Sequence, residues 1–321
     1  MTTPTVSVVI PFYRARYLRY AIESVQKQTF EDYEMIVVDD GSPDSPEVEG
    51  WLRSDRGRLQ YLRQKNKGPA AARNTGIRAA QGRFVAFLDS DDAWEPTYLE
   101  EQLTAIHKGQ GFDVIHCNAL MIGQPESARL ALMQSTPPRD LATCTSLLRD
   151  DVTVYLSSVV ARREALLEAG LFDERFIHGE DFDLWMRLLK NGARMGFQPR
   201  VLLNRRLHAD SLSADALIHS DKALLVLEKF RDRPDLTAGE RTAAETRIHS
   251  LRAEVELERA KRALASGDFG LAAQALRDAN GFYRSWKLSI LGFLVRCWPS
   301  MIARAYDVRE RRRMERSPLG K

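Results

Sequence analysis

The chain has 321 residues, of which 44% are hydrophobic and 28% charged, so it can bury a sizeable core and is not intrinsically disordered. A net charge of +3 at pH 7 is too small to indicate nucleic-acid binding. The three cysteines form no CxxC or Cys/His pattern, which argues against a disulfide framework or a zinc site. Because the N-terminus also lacks the basic and apolar pattern of a secretion signal, we expect a cytoplasmic protein.

The first two-fifths of the chain alternate between strand and helix patterns. Apolar runs predict strands at residues 6–10, 34–40 and 84–89, and a shorter run predicts a further strand at 59–64. The segments between them predict helices near residues 18–25 and 68–82. Strands buried on both faces and separated by helices are typical of parallel βαβ units. We therefore predict an α/β fold with a mostly parallel, Rossmann-like sheet flanked by helices.

Several residues suited to ligand binding follow directly after these strands. In a doubly wound sheet, ligands bind beyond the carboxyl ends of the strands. The residues at those ends are Pro11, Tyr13, Asp39, Asp40, Asp89, Ser90, Asp91 and Asp92. Three carboxylates within four residues repel one another unless a cation or a set of donors holds them. The sequence thus predicts a ligand site at this edge of the sheet.

The remainder of the chain changes character twice. Regular patterning lapses from Gly123 to Asp150, which contains three prolines and predicts a long functional or mobile loop. It resumes with a helix expected from near Glu180 to Gly192 and with strand-like pieces at residues 194–208. From residue 213 to about 280, Ala, Leu, Glu and Arg at helical spacing predict an α-helical appendage.

Three segments resemble signatures of the family 2 glycosyltransferases, which are inverting sugar-nucleotide enzymes with the GT-A fold. The segments are VSVVIPFYRARYLRYAIESVQKQTFEDYEMIVVDDGSPD, GPAAARNTGIRAAQGRFVAFLDSDD and GEDFDLWMRLL. The likeness covers about Val6 to Ser213. It implies a GT-A domain at residues 1–213. Beyond it, the sequence pattern predicts a helical appendage at 214–282 and an amphipathic, basic tail at 283–321.

The resemblance implies a donor site at the strand ends. Asp40, with Asp39 beside it, matches the acid that binds the base of the donor nucleotide, and a carboxylate can accept the imide N–H of uracil. Pro11, Tyr13 and Ser90 are assigned to the same donor site. The alternative for DDGSPD is a simple turn, in which an Asp side chain accepts from the backbone.

The DSDD run matches the family's metal motif. On this interpretation Asp91 and Asp92 hold Mn²⁺ or Mg²⁺, and Asp89 contacts the ribose or supports the pair. The alternative is a capping box, in which Asp92 begins a helix together with Glu95. His208 resembles the family's late histidine, which completes the metal shell or touches the phosphates, although a lone histidine is more often structural.

The remaining candidates belong to the acceptor side and the phosphates. Arg73 matches an arginine that contacts phosphate or nucleotide, whereas composition alone would make it a surface residue of an Ala-rich helix. An inverting transfer needs a base for the acceptor hydroxyl, and Asp181 matches that base, with Glu180 positioning it or the acceptor. The alternative is that both acids merely favour a helix N-terminus. Trp185 is either a sugar platform or a core residue, and His178 is a weaker candidate.

The tail is apolar and aromatic and then strongly basic. Its uncharged core, residues 288–295, is far shorter than the ~20 residues that a membrane span needs. A basic segment flanked by tryptophan suits the surface of an anionic membrane. The alternative is a helix packed on the domain or on a second subunit.

We therefore predict a metal-dependent, inverting glycosyltransferase. It would move a sugar from a nucleotide donor, by preference UDP-linked, to a glycan or lipid-linked acceptor at the inner membrane face, in the synthesis of cell-surface polysaccharide or glycoconjugate. Closure of the loop at residues 123–150 would exclude water from the donor. No nucleic-acid partner is expected, and a homo-oligomer stays open.

Two alternative functions remain at this point. A nucleotidyltransferase would need a Gly-rich triphosphate loop near the N-terminus, and IPFYRARYLR lacks the glycines. A catalytically silent scaffold that binds sugar nucleotides would not need the acidic pair Glu180 and Asp181, which argues against it.

Overall fold

The computed structural model describes residues 3–52, 58–108, 111–123, 129–132, 141–208 and 216–299. The chain divides into two compact units, Met1–Leu207 and His208–Lys321. The first unit contains the sheet, and the described part of the second is helical. The boundary predicted at residue 213 and the basic end of the tail, from residue 300 onward, lie outside the described residues.

Nine strands of the described residues form one sheet. In chain order they are β1 (Val6–Phe12), β2 (Tyr33–Asp39), β3 (Leu59–Arg63), β4 (Phe84–Phe87), β5 (Ala93–Trp94), β6 (Val114–Ile122), β7 (Arg129–Leu132), β8 (Val159–Arg162) and β9 (Met195–Arg206). Their order across the sheet is β3-β2-β1-β4-β8-β6-β9-β5, and β7 pairs with β6 beside this path.

The described helices divide between the two units. Those of the first unit are α1 (Leu18–Gln26), α2 (Ser45–Leu52), α3 (Pro69–Ala79), α4 (Tyr98–Lys108), α5 (Cys144–Leu148), α6 (Arg163–Glu168) and α7 (Glu180–Lys190). Those of the second unit are α8 (Ala216–Arg231), α9 (Ala238–Ser266), α10 (Phe269–Tyr283) and α11 (Trp286–Cys297). The predicted helical appendage is thus confirmed. No helix that the structure describes has the length and apolarity needed to cross a bilayer.

The predicted α/β fold is confirmed, but the sheet is mixed rather than mostly parallel. Strands β1 to β4 pair in parallel, as predicted. Strand β8 then runs antiparallel to both of its neighbours, β4 and β6, and β5 runs antiparallel to β9. A parallel β8 would need a crossover helix before it. Between β6 and β8, the described chain offers as helices only the five-residue α5 and a 3₁₀ turn, Leu156–Ser158.

The prediction of an irregular loop from Gly123 to Asp150 is wrong for part of that stretch. It contains β7, which pairs with β6, and helix α5. Helix α5 begins with a capping box, in which the Thr143 hydroxyl accepts from Ser146 N and the Ser146 hydroxyl accepts from Thr143 N. Residues 124–128 and 133–140 of the predicted loop lie outside the described residues.

Two close packings fix the elements that carry the site. A Cβ placed on Gly76 would lie 2.4 Å from Cγ1 of Val9, so α3 lies directly on β1 at a position that only glycine allows. The rings of Trp94 and Tyr98 stack at 4.0 Å between centroids and join β5 to the start of α4. Both rings are buried, and they anchor the turn that follows β4 to the core.

Candidate active site

The three aspartates of DSDD converge after the end of β4. One carboxylate oxygen from each of Asp89, Asp91 and Asp92 lies within 4.8 Å of the other two. Asp92 is buried, whereas Asp89 and Asp91 are half-buried. Burial and then repulsion from Asp91 and Asp89 raise the pKa of Asp92 well above its ordinary value. A hard divalent cation fits this set of oxygens, because its charge would offset both effects.

Arg206, the last residue of β9, holds the acids in place through its backbone and its side chain. Asp92 Oδ1 accepts from Arg206 N at 2.9 Å, and Arg206 Nε donates to the carbonyl of Asp91 at 3.1 Å. Asp92 is followed by strand β5, and α4 begins only at Tyr98, so the capping-box alternative is wrong. The metal role of His208, two residues after Arg206 in the chain, stays a prediction.

Ser157 is a site residue that the sequence did not reveal. Its hydroxyl accepts from Asp89 N at 3.0 Å and hydrogen-bonds the Asp92 carboxylate, which lowers the pKa of that acid. Because β8 runs antiparallel to β4, the turn that precedes β8 lies beside the end of β4. Nothing in YLSSVV marks this serine, since its position depends on the direction of a strand that the local sequence does not specify.

Arg73 on α3 joins two of the acidic motifs. Its Nη2 lies 2.8 Å from Asp89 Oδ1 and its Nη1 lies 2.7 Å from Glu180 Oε1. Burial alone would lower the pKa of this guanidinium, but the two carboxylates raise it above its ordinary value. Arg73 is 5% exposed, so the surface alternative is wrong. Its predicted contact with the phosphates stays a prediction.

The acidic pair opens helix α7. Gly179 has φ 76°, a left-handed conformation that favours glycine, and the helix begins at the next residue. Glu180 is 7% exposed, and burial is the main reason that its pKa is raised to about 7, against the opposing charge of Arg73. Asp181 is half-buried, and its Oδ1 accepts from Phe182 N at 2.7 Å. Of the two acids, Asp181 is therefore the one more open to an acceptor.

Favourable charge at a helix N-terminus explains only part of this arrangement. Acids in the first turn of α7 do complement the helix dipole. The ion pair of Glu180 with Arg73, however, spans 107 residues of sequence and connects α7 to the acids after β4. Glu180 is thus part of the site as well as of the helix end.

The two residues after Arg73 tie further parts of the site to α3. Asn74 Nδ2 donates to the Phe172 carbonyl and Asn74 Oδ1 accepts from Phe172 N, both at 2.9 Å, which fixes the segment leading to α7. Thr75 donates to Gln64 at 2.6 Å, and Gln64 Nε2 donates to Asp40 Oδ1 at 2.8 Å. Asn74 and Thr75 were not singled out from the sequence, although they directly follow Arg73 in AARNTG.

Asp39 forms the turn that DDGSPD predicted as an alternative. It is fully buried, and its Oδ1 accepts from Ser42 N at 2.7 Å. Its Oδ2 accepts from the hydroxyls of Ser45 and Tyr61. These three donors account for most of the accepting capacity of the carboxylate, so Asp39 stabilises the loop after β2.

Asp40 has a different set of donors. Its Oδ1 accepts from Gln64 Nε2 and from Lys67 N at 2.9 Å, and its Oδ2 accepts from Gly68 N at 2.8 Å. A carboxylate offers about four acceptor positions, so with the donors supplied by the described residues Oδ2 retains one. The geometry is compatible with one further donor, such as an imide N–H, and the role of Asp40 in base binding stays a prediction.

Pro11 lies inside β1, where proline is unusual. The carbonyl of Phe12 accepts from Asp40 N on the β2 side, and the carbonyl of Val9 accepts from Leu88 N on the β4 side. Pro11 is two residues after Val9, so its backbone groups are directed to the β4 side of the strand, as those of Val9 are. The pairing of β1 with β4 ends at Val9. Its missing N–H therefore coincides with the point where β1 leaves β4, at the edge of the site.

The remaining side chains that were predicted to belong to the site differ in their exposure to solvent. Tyr13 is 44% exposed and Ser90 is half-buried, both beyond strand ends, and their donor-binding roles stay predictions. His178 is half-buried, two residues before α7. Trp185 is 1% exposed, so it packs in the core, and the sugar-platform alternative is wrong.

Comparison with known proteins agrees with the resemblance of the motifs. A family model described as Glycosyl transferase family 2 matches residues 7–166. An uncharacterized glycosyltransferase of Rickettsia felis is 29% identical over 71% of this chain, and the chain spans only 38% of that relative's length. The Escherichia coli UDP-Glc:alpha-D-GlcNAc-diphosphoundecaprenol beta-1,3-glucosyltransferase WfgD is 30% identical over 71% of this chain and 87% of its own.

Solved structures share the fold at low sequence identity. TarS 1–349 of S. aureus, in complex with UDP-GlcNAc, aligns with a TM-score of 0.63 and 19% identity, over 94% of this chain and 88% of its own. The mannosyltransferase PcManGT of Pyrobaculum calidifontis, in complex with GDP-Man and Mn²⁺, aligns with a TM-score of 0.61 and 18% identity, over 95% and 85% of the two chains. These similarities show the GT-A fold.

Proposed function

This chain belongs to glycosyl transferase family 2, and we propose that it is an inverting, metal-dependent enzyme that transfers a sugar from a UDP-sugar to a hydroxyl of a glycan or lipid-linked acceptor. The observation that carries the proposal is the pair of contacts made by Arg73, at 2.8 Å to Asp89 and 2.7 Å to Glu180. They join the acids expected on the donor side to the acids expected on the acceptor side in one buried network.

The donor is inferred from chemistry and from the relatives. WfgD is named for UDP-Glc, TarS is described with UDP-GlcNAc, and PcManGT with GDP-Man. Asp40 retains an acceptor position on Oδ2, which suits the imide N–H of uracil. Both observations support a nucleotide-sugar donor, with UDP preferred over GDP.

The metal would be held by the carboxylates of Asp91 and Asp92, with Asp89 beside them. When bound, Mn²⁺ or Mg²⁺ would neutralise the charge that develops on the departing diphosphate. Ser157 and the backbone of Arg206 already hold the Asp92 carboxylate in one orientation. These contacts would reduce the reorganisation that metal binding requires.

Asp181 would act as the base. In a single displacement, the acceptor oxygen bonds to the anomeric carbon as the bond to the diphosphate breaks, and the hydroxyl proton passes to the Asp181 carboxylate. Arg73 engages the buried Glu180, whereas Asp181 is half-buried and is the more exposed acid of the pair. Glu180 would then position the first turn of α7 rather than take the proton.

The acceptor class is inferred from the same relative. WfgD is named for a GlcNAc residue carried on diphosphoundecaprenol. A lipid-linked acceptor of this type would place the reaction at the inner membrane face. The sugar that this chain transfers and the linkage that it forms would be set by acceptor-site loops, which the fold does not determine.

The direct test is transfer by the full chain, purified and supplied with UDP-glucose, UDP-GlcNAc or GDP-mannose, Mn²⁺ and a polyprenyl-diphosphate-linked sugar. We expect Asp181→Asn to lose transfer by about 100-fold or more while its affinity for UDP is retained. Asp278→Asn, an exposed acid on α10, is the matched control and should behave as the wild type. Unchanged transfer by Asp181→Asn would remove the base assignment, and release of pyrophosphate from UTP and a sugar phosphate would instead favour a nucleotidyltransferase.

A further inference from the structure

Helix α11 packs on its own unit along one narrow stripe. Gly292 and Val295 are buried, and Leu288 and Leu291 pack partly buried against the small cluster formed by α9 and α10. These four positions follow the spacing i, i+3, i+4 and i+7, which is one face of a helix. The packing of α11 on its neighbours is therefore complete without the rest of its surface.

The other side of α11 exposes large apolar side chains. Trp286 is 69% exposed, Ile290 47% and Phe293 59%, and their spacing again places them on one face. Trp298 follows the helix, is 53% exposed, and its ring lies 6.2 Å from that of Phe293. A single exposed apolar residue is ordinary, but four that adjoin one another form a patch of the kind found at binding surfaces.

The sequence that contains this helix is mainly cationic. After Asp278 the chain contains ten Lys or Arg residues and three Asp or Glu, and the first of those acids is Asp307. In α11 itself, Lys287 Nζ lies 5.9 Å from the ring of Trp286. Arg296 is exposed in the last turn. Cations with long apolar stems beside an exposed aromatic face are the composition of a helix that lies in a membrane interface.

We propose that α11 docks this enzyme on an anionic membrane surface, with Trp286, Ile290, Phe293 and Trp298 entering the headgroup region. A second copy of the chain is a less suitable occupant, because a symmetric contact would bring the same cationic face against itself. Anionic lipid headgroups complement that charge. The proposal goes beyond the transfer reaction and does not depend on which sugar or acceptor is used.

The test is flotation of the full chain with vesicles of phosphatidylcholine alone or mixed with phosphatidylglycerol. We expect binding to the anionic vesicles only. The double variant W286S/F293S should weaken that binding by about tenfold or more, because it removes apolar burial. K287Q/R296Q should weaken binding by about fivefold for each cation removed. The control L225S/L271S, at positions 50% and 52% exposed on α8 and α10, should bind as the wild type.

A second measurement does not depend on a disruptive variant. In a W51F background, brominated lipid in the anionic vesicles should quench part of the tryptophan fluorescence. Adding W286F/W298F, which keeps the patch apolar, should abolish that quenching because the remaining Trp94 and Trp185 are buried. Binding of W286S/F293S equal to that of the wild type would overturn the proposal. So would equal binding to neutral vesicles, or a change from dimer to monomer in W286S/F293S with vesicle binding unchanged.

Discussion

Arg73 is the side chain on which the charge balance of the site depends. Its guanidinium is buried between the carboxylates of Asp89 and Glu180, one from each acidic motif. A buried carboxylate without a counter-charge is costly, so the loss of the cation affects more than two hydrogen bonds. Arginine suits the position better than lysine, because its fork reaches two acceptors at once.

We predict that Arg73→Met lowers the free energy of unfolding by about 3 kcal/mol at pH 8, since Glu180 stays buried without its partner. The free energy of unfolding of Arg73→Lys should lie between that of Arg73→Met and that of the wild type. Arg78→Met removes an exposed arginine from the same helix, 3.9 Å from Glu174, and should cost less than about 0.5 kcal/mol. Chemical denaturation measures all three, and equal stability of Arg73→Met and wild type would contradict the role of the buried pair.

Glu180 gives the stability of the protein a predicted dependence on pH. Burial raises its pKa from 4.5 to about 7 in the folded chain. Between these two values the folded state binds more protons than the unfolded state, so the contribution of Glu180 is fully present below pH 4.5 and is lost as pH rises through 7. A carboxylate that is stabilised in its charged form has the opposite effect, since its contribution to stability is lost as the pH falls.

The matched variant is Glu180→Gln, which resembles the protonated acid at every pH. We expect its free energy of unfolding, relative to that of the wild type, to rise by about 3 kcal/mol between pH 4.5 and pH 8. Denaturation curves at several pH values measure the difference. A constant difference across this range would show that Glu180 titrates normally.

At the level of elements, helix α3 organises the site. Three consecutive residues make separate connections, Arg73 to both acidic motifs, Asn74 to the segment before α7, and Thr75 through Gln64 to Asp40. The helix is held close to β1 by the absence of a side chain at Gly76. A shift of α3 would therefore disturb the donor and acceptor sides together.

We predict that Gly76→Ala destabilises the protein by about 1–3 kcal/mol, because the added Cβ would meet Val9 at 2.4 Å. It should also weaken UDP binding, since α3 carries Arg73 and supports Asp40. Gly50→Ala on α2 is the matched control, with nothing within 4 Å of the new Cβ, and should be neutral or stabilising. Recovery in the double variant Val9→Ala/Gly76→Ala would assign the effect to this contact, and a stable Gly76→Ala that binds UDP normally would contradict it.

The elements also show which features of the fold the local sequence predicts. Strands β1, β2 and β4 were predictable, because each is a short apolar run between helices and turns, and the more polar β3 was predicted from its place in the same alternating order. The direction of β8 was not, since VVAR is compatible with either direction and its pairing depends on distant strands. Short elements such as β7 and α5 escaped prediction for a related reason, because four or five residues show too little periodicity.

The same limit applies to the site. The acids were identified because they form dense clusters after strands or at a helix start. Ser157, Asn74 and the pairing of Arg73 with Glu180 were not, because each of these contacts joins residues more than sixty positions apart. The turn formed by Asp39 was recognisable as an alternative, since all of its residues lie within DDGSPD.

Over the whole molecule, a GT-A unit is combined with a helical unit whose last described helix exposes an apolar and cationic face. The family match covers the first unit only, at residues 7–166. The activity proposed for the chain thus rests on the first unit, and the membrane surface proposed for it rests on the second. The two proposals can be tested separately because they involve different residues.

Calorimetric titration of UDP into the full chain, first with Mn²⁺ and then after chelation by EDTA, tests most directly whether the aspartates after β4 hold a cation for the diphosphate. We predict that chelation weakens UDP binding by about tenfold or more. Asp92→Asn should remove most of the response to Mn²⁺, whereas Asp278→Asn should keep it. Tight UDP binding that is unchanged by chelation would contradict the metal-dependent mechanism.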